Sequence, residues 1–131
     1  EFSRFLSMTT DQIEFNRWYA LDEFWKDQDC GVLMKGFHSQ FCQKFPQREV
    51  WIVEAGNSAL AKAGSGDVLA GLIGGFLAQG LSLRKASCLG AYVHGRAADL
   101  YIRDTGHPAT LLVSELFGEI PRVFRELATQ A

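Results

Sequence analysis

Asn57-Ser58-Ala59-Leu60-Ala61-Lys62-Ala63-Gly64-Ser65-Gly66-Asp67-Val68-Leu69-Ala70-Gly71 runs from a small, polar segment straight into an apolar helical pattern. Gly64-Ser65-Gly66 has almost no side chain to bury, so it cannot serve a core. What it offers is close approach of backbone N–H groups to a ligand. Asp67 falls in the first turn of the helix, where open N–H groups and the macrodipole favour negative charge. A glycine loop at a helix N-terminus is an anion site, and phosphate is the usual anion. A carboxylate beside a bound phosphate is a candidate general base. The plainer alternative is a turn with Asp67 as a helix cap. The stretch is not a P-loop, because no Lys-Ser/Thr follows the glycines. Nor does it match the dinucleotide pattern Gly-x-Gly-x-x-Gly.

The helix behind the loop is expected from about Gly66 to Gln79. Val68, Leu69, Leu72, Ile73, Phe76 and Leu77 form a wide apolar stripe at helical spacing. Ala70, Gly71, Gly74, Gly75 and Ala78 form a second stripe with almost no side chain. Each interior Gly costs roughly 1 kcal/mol against Ala. Such a helix needs packing on most sides, and the small stripe is expected to admit another helix or strand at close range. The apolar run is too short and too broken to span a bilayer.

Outward from this centre, the chain reads as one unit. Helical spacing of Ile13, Trp18, Leu21, Phe24 and Trp25 predicts a helix capped at Thr9 or Thr10, continuing to Asp29 and ended by Gly31. Trp18 and Trp25 read as core. Cys30 to Lys35 reads as a strand whose continuous apolar centre belongs in a sheet interior. It runs into Lys35-Gly36-Phe37-His38-Ser39, a cation and a glycine at a strand's C-terminal end, where open α/β sheets bind ligands. An exposed Lys before a turn is the other reading. Ser39 to Cys42 and Val50 to Val53 are expected to form a hairpin, with Lys44 to Glu49 as its turn. Asn57 can hold the approach to the glycine loop through its amide.

After Gly80 as helix stop and Ser82 as N-cap, a long helix is expected from Leu83 to Asp104. Its inward face is Ala86, Leu89, Gly90, Val93, Ala97 and Leu100 or Tyr101, packed against the small face of the preceding helix. His94 reads as a packing histidine bonded to backbone, in preference to a catalytic one. Arg96 and Asp99 read as a solvated or capping pair. Ser114 is expected to start the last helix, in which Leu116, Ile120, Val123, Phe124 and Leu127 make the apolar stripe. Pro121 interrupts its hydrogen bonding.

The composition is that of an ordinary globular chain of one domain: 131 residues, 47% hydrophobic and 21% charged. A formal net charge of −2 argues against a nucleic-acid partner or an anionic membrane. Cys30, Cys42 and Cys88 are odd in number and unpaired in spacing. They read as reduced, buried thiols of a cytoplasmic protein, without a metal role.

Asn57-x-Ala59-Leu60-Ala61, Gly64-Ser65-Gly66-Asp67-Val68-Leu69-Ala70-Gly71, Leu77-Ala78-Gln79-Gly80-Leu81-Ser82 and Gly90-x-x-x-His94-Gly95-x-Ala97-x-Asp99 together resemble the ADP-dependent NAD(P)H-hydrate dehydratases, of the ribokinase-like superfamily. The likeness is dense from about Val32 to Leu127. It implies an α/β fold in which a central, mostly parallel sheet is flanked by helices. It implies repair of hydrated NADH or NADPH at the expense of ADP, with release of AMP and phosphate. Asp67 would be the catalytic base at the substrate. Gly64, Ser65 and Gly66 would form the anion hole, and Asn57 would support it. Lys35, Gly36, Phe37, His38, Ser39 and Gly66 would hold the nucleotide; Ser39 stands where the family has Thr. Mg2+ is expected with the phosphoryl donor, although no dedicated ligand cluster is visible.

Family members are considerably longer and begin with several βα units. Residues 1–131 are therefore expected to be the C-terminal portion of a single dehydratase domain, starting after a His-Pro-Gly element. Such a portion would have an exposed sheet edge and would associate, as a homo-oligomer or with the rest of the domain. Two alternatives remain: a ribokinase-like vitamin-precursor kinase that uses ATP, or a non-catalytic fragment.

Overall fold

The computed structural model describes residues 2–36, 38–44 and 47–130. Three short helices or helical turns come first: α1 (Phe2–Leu6), α2 (Thr10–Phe15) and α3 (Arg17–Phe24). Thr9 caps α2 in a capping box with Gln12. The single helix expected here is broken at Asn16, whose side chain caps α3 by accepting from the Tyr19 N–H. A residue that can cap competes with helix continuation at the same place. The segment ends at Phe24, so Gly31 is not its stop. Instead a Cβ on Gly31 would lie 2.9 Å from both Phe41 and Leu83 side chains. Trp25 is core, at 4% exposure. Trp18 is not; it is 46% exposed and carries the Arg48 guanidinium over its ring.

Strands β1 (Val32–Met34), β2 (Ser39–Gln43) and β3 (Glu49–Val53) form an antiparallel sheet in that order. Val32 faces Cys42, and Phe41 faces Trp51. The expected pairing of the two hairpin strands is present; of the expected turn, Lys44 to Glu49, Phe45 and Pro46 lie outside the described residues. β1 is therefore an edge strand here, not the sheet interior expected from its apolar centre, and the pairing is not parallel. Its Val32 and Met34 are used on α2 and α3: with Cys42 of β2, Met34 joins Ile13, Ala20, Leu21 and Trp25 in one buried cluster against which Val32 packs. Of the cysteines, Cys42 is buried and Cys88 half-buried, and burial raises both thiol pKa values. Cys30, expected buried, is exposed.

Helix α4 (Ser65–Ala78) follows the glycine loop, α5 (Leu83–Thr105) follows α4, and α6 (Leu116–Gln130) closes the chain. Gly80, at φ 86°, ends α4 in a Schellman arrangement: Gly80 N–H bonds the Leu77 carbonyl and Leu81 N–H bonds that of Phe76. Ser82 caps α5. Ser114, the expected start of the last helix, lies in a 3-10 turn (Val113–Glu115) that leads into it.

α5 lies between α4 and α6 and also meets the sheet. Val93, Ala97, Leu100, Leu111, Leu116 and Val123 make the main buried cluster. Close packing comes from the glycines of α5. A Cβ on Gly90 would be 2.6 Å from Ile73 of α4, and one on Gly95 would be 2.4 Å from the Ala55 carbonyl oxygen. The small stripe of α4 does the opposite of what its composition predicts. Gly71, Gly74 and Gly75 are exposed, and a Cβ on each would meet nothing within 4 Å. α4 presents its large side chains, not its small ones, to α5. Among the described residues, no helix is long and apolar enough to cross a membrane.

Candidate functional site

Gly64 is the residue before α4 and has φ 86°, a conformation cheap only for glycine. It turns the chain so that the first turn of α4 opens toward the C-terminal end of β1. The N-cap has no side chain, so no cap bond covers the helix end. Ser65 N–H bonds the Lys62 carbonyl at 3.3 Å, and Asp67 and Val68 N–H both turn to the Gly64 carbonyl. Among the described residues, Gly64 and Gly66 N–H groups have no backbone acceptor. Two of the three expected anion-hole donors are thus open, while Ser65 N–H is used within the loop.

Lys35 leaves the end of β1 and reaches this loop. A Cβ on Gly66 would be 2.9 Å from Lys35 Nζ, so the absence of a side chain at Gly66 is what lets the ammonium stand there. Two cavities meet at this pair. One, of about 520 Å³, is bordered by Lys35, Gly36, His38, Ser39, Asn57 and Ser65. The other, of about 610 Å³, is bordered by Gly64, Asp67, Ala70 and Ile73. Lys35, Lys62, Gly66 and Leu69 line both. Every residue singled out from the sequence as a nucleotide contact lies on the first cavity, except Phe37, which is outside the described residues. Asp67 lies on the second. Its side chain is exposed and makes no hydrogen bond or ion pair among the described residues. A proton acceptor needs such a vacant carboxylate.

Asn57 supports the loop from both ends of its amide. Its Oδ1 accepts from Ala59 N–H at 2.9 Å and its Nδ2 donates to Asp99 Oδ1 at 2.8 Å. Asp99 Oδ2 accepts from Gly56 N–H at 3.1 Å. The expected Arg96–Asp99 pairing is not made: Arg96 instead binds Glu126 on α6 with two nitrogens. Arg96 and Asp99 are three apart on α5, but neighbouring elements present better partners to each.

His94 is the residue that the sequence reading placed differently. It is 7% exposed and lines the first cavity. Its Nε2 is 3.0 Å from Ser65 Oγ, a side-chain contact made in addition to the expected bonding to backbone, which the Ser65 main chain provides. Burial pushes the imidazole below its ordinary pKa; the Ser65 backbone partly opposes this, and the Lys35 charge adds to the lowering. A Gly directly after the histidine was the available signal, since Gly95 lets α5 touch residues 55–56 and brings His94 to the loop. Lys62 was also not singled out. Its Nζ donates to the carbonyls of Ala109 and Leu111, fastening the loop to the chain before α6.

Among the described residues, no group of three His, Cys, Asp or Glu side chains could hold a metal ion. One carboxylate, Glu54, lines the first cavity. Such a sparse donor set fits Mg2+, which keeps several waters and binds through one or two carboxylates plus phosphate oxygens.

A family model described as Carb_kinase, NAD(P)H-hydrate dehydratase, matches residues 1–122. The ADP-dependent (S)-NAD(P)H-hydrate dehydratase of Neisseria meningitidis is 39% identical over 116 residues, covering 88% of this chain and 38% of that protein. A bifunctional NAD(P)H-hydrate repair enzyme of Moorella thermoacetica is 35% identical over 127 residues, 97% of this chain and 23% of that protein. The crystal structure of the ADP/ATP-dependent NAD(P)H-hydrate dehydratase from Bacillus subtilis, co-crystallized with ATP/Mg2+, matches with a TM-score of 0.83 at 30% identity, over 95% of this chain and 44% of that one. The chain spans less than half the length of each of these relatives. With the family model matching most of its length, this chain belongs to the NAD(P)H-hydrate dehydratase family.

Proposed function

We propose that this chain supplies the phosphoryl-transfer site of an ADP-dependent NAD(P)H-hydrate dehydratase. The observation that carries the reading is the pair of cavities meeting at Lys35 and Gly66, with Asp67 on one side only. The nucleotide occupies the first cavity, against Lys35, Gly36, His38, Ser39 and Gly66. The hydroxyl of hydrated NADH or NADPH enters the second. Asp67 takes the hydroxyl proton as its oxygen attacks the terminal phosphorus of ADP, and the bond to AMP breaks. The open N–H groups of Gly64 and Gly66, with Lys35, neutralise charge on the transferring group. Phosphate then leaves with the hydroxyl oxygen while a proton is lost from the neighbouring ring carbon, which restores the double bond. Mg2+ would ride with the nucleotide near Glu54 and offset phosphate charge.

Residues 1–131 are read as the C-terminal portion of one dehydratase domain in a cytoplasmic protein. The bare glycine face of α4 and the exposed Trp51, Ile52 and Leu77 support association, with the rest of such a domain or as a homo-oligomer.

The test is recovery of reduced-nicotinamide absorbance from hydrated NADH with Mg2+ and ADP. It is run on this chain alone and on a longer protein that carries it. Recovery that needs ADP and is lost in Asp67→Asn upholds the reading. A protein that ignores the hydrate and transfers phosphate from ATP to a stable product would be a kinase instead.

A further inference from the structure

We propose that His94 is a positioning residue for the anion loop, a tether that takes the place of the absent capping side chain. Helices are ordinarily pinned at their start by a side chain at the N-cap. α4 has Gly64 there and no cap bond. A capping side chain would occupy the N–H groups that the phosphate needs, so the helix end has to be held from elsewhere. His94 does this from α5. Its Nε2 meets the hydroxyl of Ser65, the first residue of α4, at 3.0 Å. Both side chains are buried, at 7% and 4% exposure, so water competes only weakly for the bond.

Ser65 is thereby fixed at two points, through its hydroxyl to His94 and through its N–H to Lys62. The peptide that follows carries the open Gly66 N–H, and its direction is set by the orientation of Ser65. Gly95, with no room for a Cβ against Ala55, keeps α5 close enough for the tether to reach. Burial first of all favours a neutral imidazole, and the charge of Lys35, which stands at the same loop, adds to this against the Ser65 backbone. His94 thus contributes a hydrogen bond without a charge of its own, leaving the loop's positive potential to Lys35 and the helix end.

The functional weight of the tether rests on the phosphate-binding reading above; its existence does not. The experiment combines amide hydrogen exchange with binding of Mg2+-ADP and of adenosine, on the full chain and on Ser65→Ala, His94→Leu, the double variant and His94→Gln. Exchange at residues 65–69 should rise about fivefold in each single variant, the ratio that matches one net hydrogen bond. The double variant should add nothing further, and Gln, which can still reach the hydroxyl, should recover most of the loss. Mg2+-ADP affinity should fall by a similar factor while adenosine affinity holds, because only the phosphates meet the loop. Unchanged exchange at 65–69, an equal rise along all of α4, or additive effects in the double variant would overturn the tether. Equal losses for ADP and adenosine would overturn its role in phosphate positioning. If the unaltered chain bound no ADP, the phosphate-binding reading would fail, and the exchange data would still decide the tether.

Discussion

Replacing Gly95 by Ala tests whether the site is assembled by backbone contact between α5 and residues 55–56. A Cβ there would sit 2.4 Å from the Ala55 carbonyl oxygen, 2.5 Å from its carbon and 2.9 Å from Gly56 N. Ordinary contact begins at 3.4 Å, so the two segments must separate by the difference, 3.4 − 2.4 = 1.0 Å. Both sides are backbone, and no rotamer change relieves the clash. Overpacking of this kind costs about 3 kcal/mol. The separation also loosens the charged hydrogen bond from Gly56 N–H to Asp99, for about 1.5 kcal/mol. Better helix propensity returns about 1 kcal/mol, leaving a net loss of about 3.5 kcal/mol. With an m-value of about 2 kcal/mol/M, the urea midpoint should drop by about 1.7 M. Far-UV circular dichroism across a urea series reads this directly. Gly74→Ala is the internal comparison: nothing lies near its Cβ, so the midpoint should rise. A Gly95→Ala midpoint within about 0.3 M of the unaltered chain, or below which Gly74→Ala also falls, would refute the contact argument.

Other outcomes follow from the same geometry. Asp67→Asn should lower turnover of hydrated NADH by at least about a hundredfold, yet lower the urea midpoint by no more than about 0.3 M, because the side chain is exposed and unbonded and only its helix-end charge is lost. Asp99→Ala removes the acceptor for both Gly56 N–H and Asn57 Nδ2, and should cost about 2 kcal/mol together with weaker ADP binding, read by denaturation and calorimetry. His94 has its pKa lowered in the native state, so the unfolded chain binds more protons than the folded one below the ordinary value of 6.5. Its contribution is therefore complete above that pH and is lost as pH falls below it. The slope of stability against pH should flatten in His94→Gln, with Lys35, Lys62, Glu54 and the exposed His38 of the same cavity unchanged.

Local chemistry was readable from the chain wherever a residue's role depends on its near neighbours. The glycine loop opening α4, the stop at Gly80, the cap at Ser82 and the hairpin from Ser39 to Val53 all follow from turn, cap and periodicity rules that act over a few residues. Lys35 and Asp67 could be singled out because a cation after a strand and a carboxylate in a first helical turn already specify their surroundings. Tertiary placement decided the rest. The glycine stripe of α4 cannot declare from composition which side meets α5, and it faces away; the shape of Ile73 against Gly90 chose the other face. β1 reads as a buried strand because it is apolar, but which element covers it depends on α2 and α3, far from the pairing that sets its edge position. His94 and Ser65 are separated by 29 positions, and no short-range rule links a helix start to the middle of the next helix. The sequence by itself singled out the candidate atoms for binding phosphate and accepting a proton. Only the packing of α5 on the loop decided which N–H groups stay open and that Asp67 lines a cavity separate from the one beside His94, because those outcomes depend on backbone distances that close through contacts remote in the chain.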